Sequence, residues 1–189
     1  AFGAVPACDP GAIDEAAAEM RQMGLRGIGE IALYARSSGN HNLYLETLFD
    51  RAEKYNLALC LHVNEPVGHD YPGKCAQDFT ALYRMLEGWG GPPVVLSHWG
   101  GGMLFYELMP EVSQALAGVY YDTAASPFLY RNDVYRVAMD ILGPDKVLFG
   151  SDFPLLSPSR YFTGVDSIAD PEARSKVMGL NAARILGKG

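Results

Sequence analysis

The chain has 189 residues, 49% of them hydrophobic, enough to bury one sizeable core, so one domain over residues 1–189 is expected. Fifteen Lys and Arg against 22 Asp and Glu give a net charge of −7 with no basic cluster, which argues against nucleic acid or an anionic membrane as partner. Cys8, Cys60 and Cys75 include no Cys-x-x-Cys pair, so neither a disulfide framework nor a zinc ribbon is indicated, and a reducing cytoplasm is the simpler setting.

No segment has the length and apolarity of a membrane span, and the first residues lack the basic start and apolar run of a signal peptide. The chain begins with Ala1 rather than Met, and a preceding segment is expected.

From there, apolar runs alternate with amphipathic ones. Phe2 to Ala7 reads as a strand, and Asp9-Pro10-Gly11 turns into a helix over Ala12 to Met23, where Ile13, Ala16, Ala17, Met20 and Met23 keep helical spacing. Gly27 to Ala32 is a glycine-rich strand with Glu30 in its middle. Asn42 is placed to cap a helix from Leu43 to Tyr55, and the strand from Leu57 to Val63 carries His62. A polar loop runs from Asn64 to Lys74, followed by a helix from Gln77 to Glu87. Val94 to Leu96 leads into Ser97-His98-Trp99-Gly100-Gly101, and a helix over Leu104 to Leu116 is interrupted or begun afresh at Pro110. Val119 to Asp122 is a strand, Asn132 to Leu142 a helix, and Val147 to Gly150 a strand that ends at Asp152. A Ser/Pro-rich loop and a helix from Pro171 to Leu186 close the chain.

The intervals between strand ends are those of βα units, which take about 30 residues or more each. Six such units fall about two short of a closed eight-unit barrel of roughly 250 residues. Apolar strands ending in His62, His98 and Asp152 would bring two imidazoles and a carboxylate to one mouth of a parallel sheet, where barrel chemistry is done. That donor set suits a divalent ion such as zinc with a position open for water, whose pKa the ion would lower. Asp152 would then act as ligand and as the base that takes the water's proton. Each residue also has a plainer reading: His62 as a satisfied core histidine, Asp152 as a turn cap, Glu30 as a partner of Arg26 or Arg36, and Asp122 as a strand-end cap. Trp99 could wall the pocket or simply pack. His69 and Arg36 could touch substrate or be solvated.

The series Leu61-His62-Val63, Ser97-His98-Trp99-Gly100-Gly101, Val119-Tyr120-Tyr121-Asp122-Thr123 and Phe149-Gly150-Ser151-Asp152-Phe153-Pro154 resembles the amidohydrolase superfamily. It is most similar to the amidohydrolase-related branch, which holds hydrolases and metal-dependent decarboxylases, and Asn181 to Gly187 is similar to that branch's last helix. The resemblance implies a TIM-barrel-type (β/α)8 fold of which this chain supplies strands 3–8, with His62, His98 and Asp152 ending the fifth, sixth and eighth. It also implies a metal bound by His62, His98 and Asp152, with Glu30 at the position of a carboxylate that bridges two ions in binuclear members. Zinc is the expected metal, manganese or iron the alternatives, with one or two ions.

The family's first strand ends in His-x-His, and the four histidines here, His41, His62, His69 and His98, include no such pair. A missing N-terminal segment is the economical explanation, because six strands would leave two apolar edges unpaired. The function implied is metal-dependent hydrolysis of an amide, ester or lactone-type bond in a small molecule. The alternatives are decarboxylation, or a non-catalytic fragment whose edges pair with a partner or a second copy.

Overall fold

The computed structural model describes residues 1–5, 9–32, 41–71, 74 and 77–187. Its centre is a six-stranded parallel sheet in sequence order: β1 (Phe2–Gly3), β2 (Gly27–Ala32), β3 (Ala58–His62), β4 (Val94–Leu96), β5 (Val119–Asp122) and β6 (Val147–Leu148). Each strand pairs with its chain neighbour, for example Leu59 with Val94 and Val95 with Tyr120. Helices make the crossovers: α1 (Pro10–Gln22), α2 (His41–Tyr55), α3 (Phe79–Leu86), α4 (Pro110–Ala115), then α5 (Ser126–Leu129) and α6 (Asp133–Leu142) between β5 and β6. Because every strand runs the same way, all their C-terminal ends open on one side.

Local chemistry sets the helix boundaries. Asp9 caps α1 by accepting from Gly11 N at 3.1 Å, Pro10 occupies the first turn, and Ile13, Ala17 and Met20 form the buried stripe. Asp78 caps α3 through Ala81 N at 3.0 Å, so that helix starts at Phe79 and leaves Gln77 outside it. Helix α2 begins at His41 rather than after an Asn42 cap, and α4 begins afresh at Pro110. The short α5 lies in a stretch that reads as loop from the sequence.

After β6 come α7 (Phe162–Asp166), α8 (Pro171–Ser175), a wide π turn over Lys176–Leu180, and α9 (Asn181–Ile185). The expected single last helix is thus divided at Gly179, which leaves helical backbone angles. Asn181 docks it by donating to Val147 O at 2.8 Å and Pro144 O at 2.7 Å.

The core lies between the sheet and its helices. Ile28, Leu59, Leu61, Leu96, Trp99 and Tyr121 are completely buried. At about 1.5–3 kcal/mol for each fully buried aliphatic or phenyl side chain, such residues dominate the driving force that brings the strand ends together. Arg36, Tyr34 and Cys75 lie outside the described residues. Among the described residues, no helix is long and apolar enough to cross a membrane.

Candidate metal centre

Glu30 reaches the strand mouth through an irregularity in β2. Ile28 pairs with Leu59 and Ile31 with Leu61, so three steps on β2 match two on β3, and the inserted residue breaks the in-out alternation. Gly29 makes this possible: its φ is +142°, and a Cβ there would come within 2.5 Å of Cys60 O. Glu30 is thereby turned toward His62, the last residue of β3.

His98 is placed by a left-handed turn. His98, Trp99, Gly100 and Gly101 have φ between 58° and 62°, unusual for the two non-glycine residues, each of which costs on the order of 1–3 kcal/mol unless its surroundings impose it. The surroundings do so. The Asp122 carboxylate accepts from His98 N at 3.0 Å and from Ala124 N at 2.9 Å. A Cβ on Gly101 would come within 2.4 Å of Asn64 O, so only glycine lets the turn lie against the backbone beyond β3. Asp152, at φ 56°, and Ala125, at φ 55°, share this conformation and line the same mouth. Its segment is tied to β5 by Thr123, whose hydroxyl donates to Gly150 O at 2.8 Å and accepts from Gly150 N at 3.1 Å.

The outcome is a tight triangle of ligand atoms. Glu30 Oε1 lies 3.0 Å from His62 Nδ1 and 3.3 Å from His98 Nε2, and the two nitrogens are 3.0 Å apart. These edges match the separation of about 3.3 Å between atoms that each sit about 2.0–2.1 Å from a tetrahedral zinc. The triangle also carries excess negative charge. Burial opposes a charged His98, yet its hydrogen bond to Glu30 and the charges of Asp122, Glu30 and Asp152 outweigh it and raise the imidazole to about 9. Burial likewise acts to raise Glu30, but its bonds to His62 and His98 hold the carboxyl well below the usual range. A pocket that keeps a proton on a buried imidazole is one that attracts cations. His98 Nδ1 is itself buried with no hydrogen-bond partner among the described residues. Donor chemistry, spacing and charge therefore fit a divalent ion.

A cavity of about 580 Å³ opens over the triangle. Glu30, His62, His98 and Asp152 form its polar floor, His69 and Tyr71 one side, and Phe128, Leu129 and Leu155 an apolar wall. Asp152 thus shares the cavity but stands outside the group of three whose ligand atoms all lie within 4.8 Å of one another. Glu30 pairs with the two histidines rather than with Arg26.

Trp99 is a correction. The side chain read as a pocket wall is completely buried, donates its indole N–H to Ser126 Oγ at 2.7 Å and packs edge-on against Tyr135. The left-handed turn sends consecutive side chains in different directions, His98 to the mouth and Trp99 into the helix layer. Asn64, Tyr71 and the α5 residues were not recognised from sequence. For Asn64 a signal existed, since residues two apart on an extended chain share a face, and Asn64 follows His62 by two.

The fold recurs in proteins of known structure. The 5-carboxyvanillate decarboxylase of Sphingomonas paucimobilis superposes with a TM-score of 0.73 at 20% identity, over 98% of this chain and 66% of its own. A dihydroxybenzoic acid decarboxylase from Polaromonas sp. JS666 with bound manganese gives 0.70 at 16% identity, over 98% of this chain and 68% of its own. An amidohydrolase from Burkholderia multivorans with bound zinc gives 0.59 at 16% identity, over 86% and 64%. The chain thus spans about two thirds of the length of these proteins. No curated protein matches it in sequence. The six-stranded sheet is part of a (β/α) barrel, and with the amidohydrolase family pattern matched over residues 1–188, the chain belongs to the amidohydrolase family.

Proposed function

We propose that the chain carries the metal- and substrate-binding part of an enzyme that hydrolyses an amide, ester or lactone-type bond in a small molecule. The reading rests on one observation, the convergence of Glu30 Oε1, His62 Nδ1 and His98 Nε2 within 3.3 Å at the floor of a cavity. Those three residues would hold a divalent ion, most simply zinc, with manganese or iron as alternatives and Asp152 as a further ligand. The ion would supply Lewis-acid polarisation and a lowered pKa for water. Asp152 takes the proton from the attacking water and passes it to the leaving group, while Phe128, Leu129 and Leu155 exclude solvent from the substrate. His69, which lines the same cavity, contacts the substrate.

Decarboxylation has support at least as strong. The apolar wall formed by Phe128, Leu129 and Leu155 would disfavour a carboxylate more than the neutral CO2 it releases, and two of the structures described above are decarboxylases. Since the chain spans about two thirds of those proteins, the complete site is inferred to take in a further N-terminal segment or a second copy of the chain.

Metal analysis of the purified protein is the decisive test. Stoichiometric zinc, manganese or iron, lost in His98→Ala, is the expected result; one ion or two separates the mononuclear from the binuclear arrangement. Equal metal content in wild type and His98→Ala would overturn the proposal. The metal-loaded protein, offered lactones, esters and amides on one hand and aromatic carboxylic acids on the other, then divides hydrolysis from CO2 release.

A further inference from the structure

His62 has two ring nitrogens, and only one of them can face a cation with its lone pair. Nδ1 lies 3.0 Å from both Glu30 Oε1 and His98 Nε2, at the centre of the triangle. Nε2 lies 3.1 Å from Asn64 Oδ1. An amide oxygen has no proton to give, so the hydrogen between these two atoms belongs to His62 Nε2. Glu30 Oε1, 3.0 Å from Nδ1, is a competing acceptor that would draw the ring proton there; a ring held at Nε2–H instead keeps its Nδ1 lone pair, which can accept from His98 Nε2 at 3.0 Å until a cation takes its place. With the Asn64 amide reversed, its NH2 would donate to Nε2, the ring proton would move to Nδ1, and the triangle would be blocked by a hydrogen.

Asn64 is held unusually firmly for a residue just past a strand. It is 1% exposed. Its backbone N–H donates to Gln77 Oε1 at 2.8 Å, and the same amide's Nε2 donates to His62 O at 2.7 Å, so one side chain clips both ends of the 62–64 segment. The glycine turn at Gly101 presses on its carbonyl. The Tyr71 hydroxyl lies 3.0 Å from the same Oδ1.

We propose that Asn64 is a positioning residue: its side-chain oxygen, braced by Gln77 and Tyr71, fixes His62 as the Nε2–H tautomer and so aims the Nδ1 lone pair at the cation site. The consequence for metal affinity rests on the reading of Glu30, His62 and His98 as ligands; the tautomer itself does not. Partners of this kind are worth about 10–100-fold in metal affinity.

The test uses the full chain, labelled with 15N and treated with chelator, in long-range proton–nitrogen correlation spectra taken at a pH where the ring is neutral. The wild type should show His62 protonated at Nε2. Asn64→Asp, which keeps the acceptor, should preserve that pattern, and Asn64→Leu should shift it toward Nδ1–H. In zinc titrations by calorimetry, Asn64→Leu should bind about 10–100-fold more weakly and Asn64→Asp close to wild type. A wild-type His62 protonated at Nδ1 overturns the proposal, and that result needs no variant to fold. So does an Asn64→Leu protein with unchanged tautomer and affinity. A wild type that binds no zinc but shows the expected tautomer shift removes the metal reading and leaves the role of Asn64 standing.

Discussion

Two clusters of charged side chains, one buried and one open to a cavity, lie at opposite ends of the strands. At the N-terminal ends of β5 and β6, Glu107 takes two 2.6 Å bonds from Lys146 Nζ, one of 2.7 Å from Tyr121 OH and one of 3.3 Å from Ser113 Oγ, while Lys146 also donates to Leu116 O at 2.9 Å. Every acceptor there meets a donor from the chain itself. At the C-terminal ends, Glu30, His62 and His98 turn three potential ligand atoms toward one another, with Asp122 and Asp152 adding negative charge. The first cluster is electrostatically complete and holds the fold; the second is a candidate site for a cation from outside. Burial alone does not identify a functional site, since Glu107 is more deeply buried than Glu30. The balance of donors to acceptors does.

The largest expected effect breaks the complete cluster. Lys146→Met leaves the Glu107 carboxylate buried without its cation, and unfolding in urea should show a loss of about 3–5 kcal/mol. Zinc affinity should be unaffected, because the variant leaves the strand mouth intact. Combining it with Glu107→Met and Tyr121→Phe removes the unpaired charge and the stranded hydroxyl, and much of the loss should be recovered. A triple variant as unstable as the single one would mean that Lys146 acts through packing of its stem rather than through its charge.

The open cluster should respond to metal where the closed one does not. Zinc at about 100 times its dissociation constant should stabilise the wild type by about 2.7 kcal/mol, since only the folded chain assembles the triangle. His98→Gln should abolish that gain while changing the stability of the metal-free protein much less than Lys146→Met does. The same metal-induced gain in His98→Gln would place the binding site elsewhere.

The two clusters were unequally legible in the sequence. His62, His98 and Asp152 stand out because parallel strands buried on both faces read as unbroken apolar runs, so the first ionisable residue after each run marks the mouth. Glu30 was visible only as a lone acid inside a glycine-rich strand, and the bulge that aims it depends on Gly29 lying against Cys60, a contact between strands that no local pattern reveals. The misreading of Trp99 has a related cause: alternation assigns faces only while the backbone stays extended, and it fails at the left-handed turn. The Glu107–Lys146 cluster left no trace, because its members are 39 residues apart and sit on segments with no shared period. Lining residues of α5 were missed because Ser126-Pro127-Phe128-Leu129 is too short for helical periodicity to show.

The smallest expected effect concerns a third charged group, which lies on the surface. Asp14 on α1 accepts from Lys54 Nζ at 2.8 Å and Tyr55 OH at 3.1 Å and pairs with Arg51 Nε at 2.7 Å, joining α1 to α2 at the half-exposed surface. The hydrogen bond from Lys54 holds its carboxyl below the ordinary value of 3.8 despite a small opposing effect of burial. A lowered carboxyl stabilises the fold above that ordinary value and loses its contribution as the pH falls through the lowered one. Asp14→Asn should therefore be mildly destabilising at pH 7 in urea unfolding, by less than either effect above, and the difference should shrink both on acidification and in about 1 M salt, where the Debye length is about 3 Å. A difference that survives high salt would mean that the geometry of the hydrogen bonds to Lys54 and Tyr55, rather than the charge of Asp14, holds the two helices together.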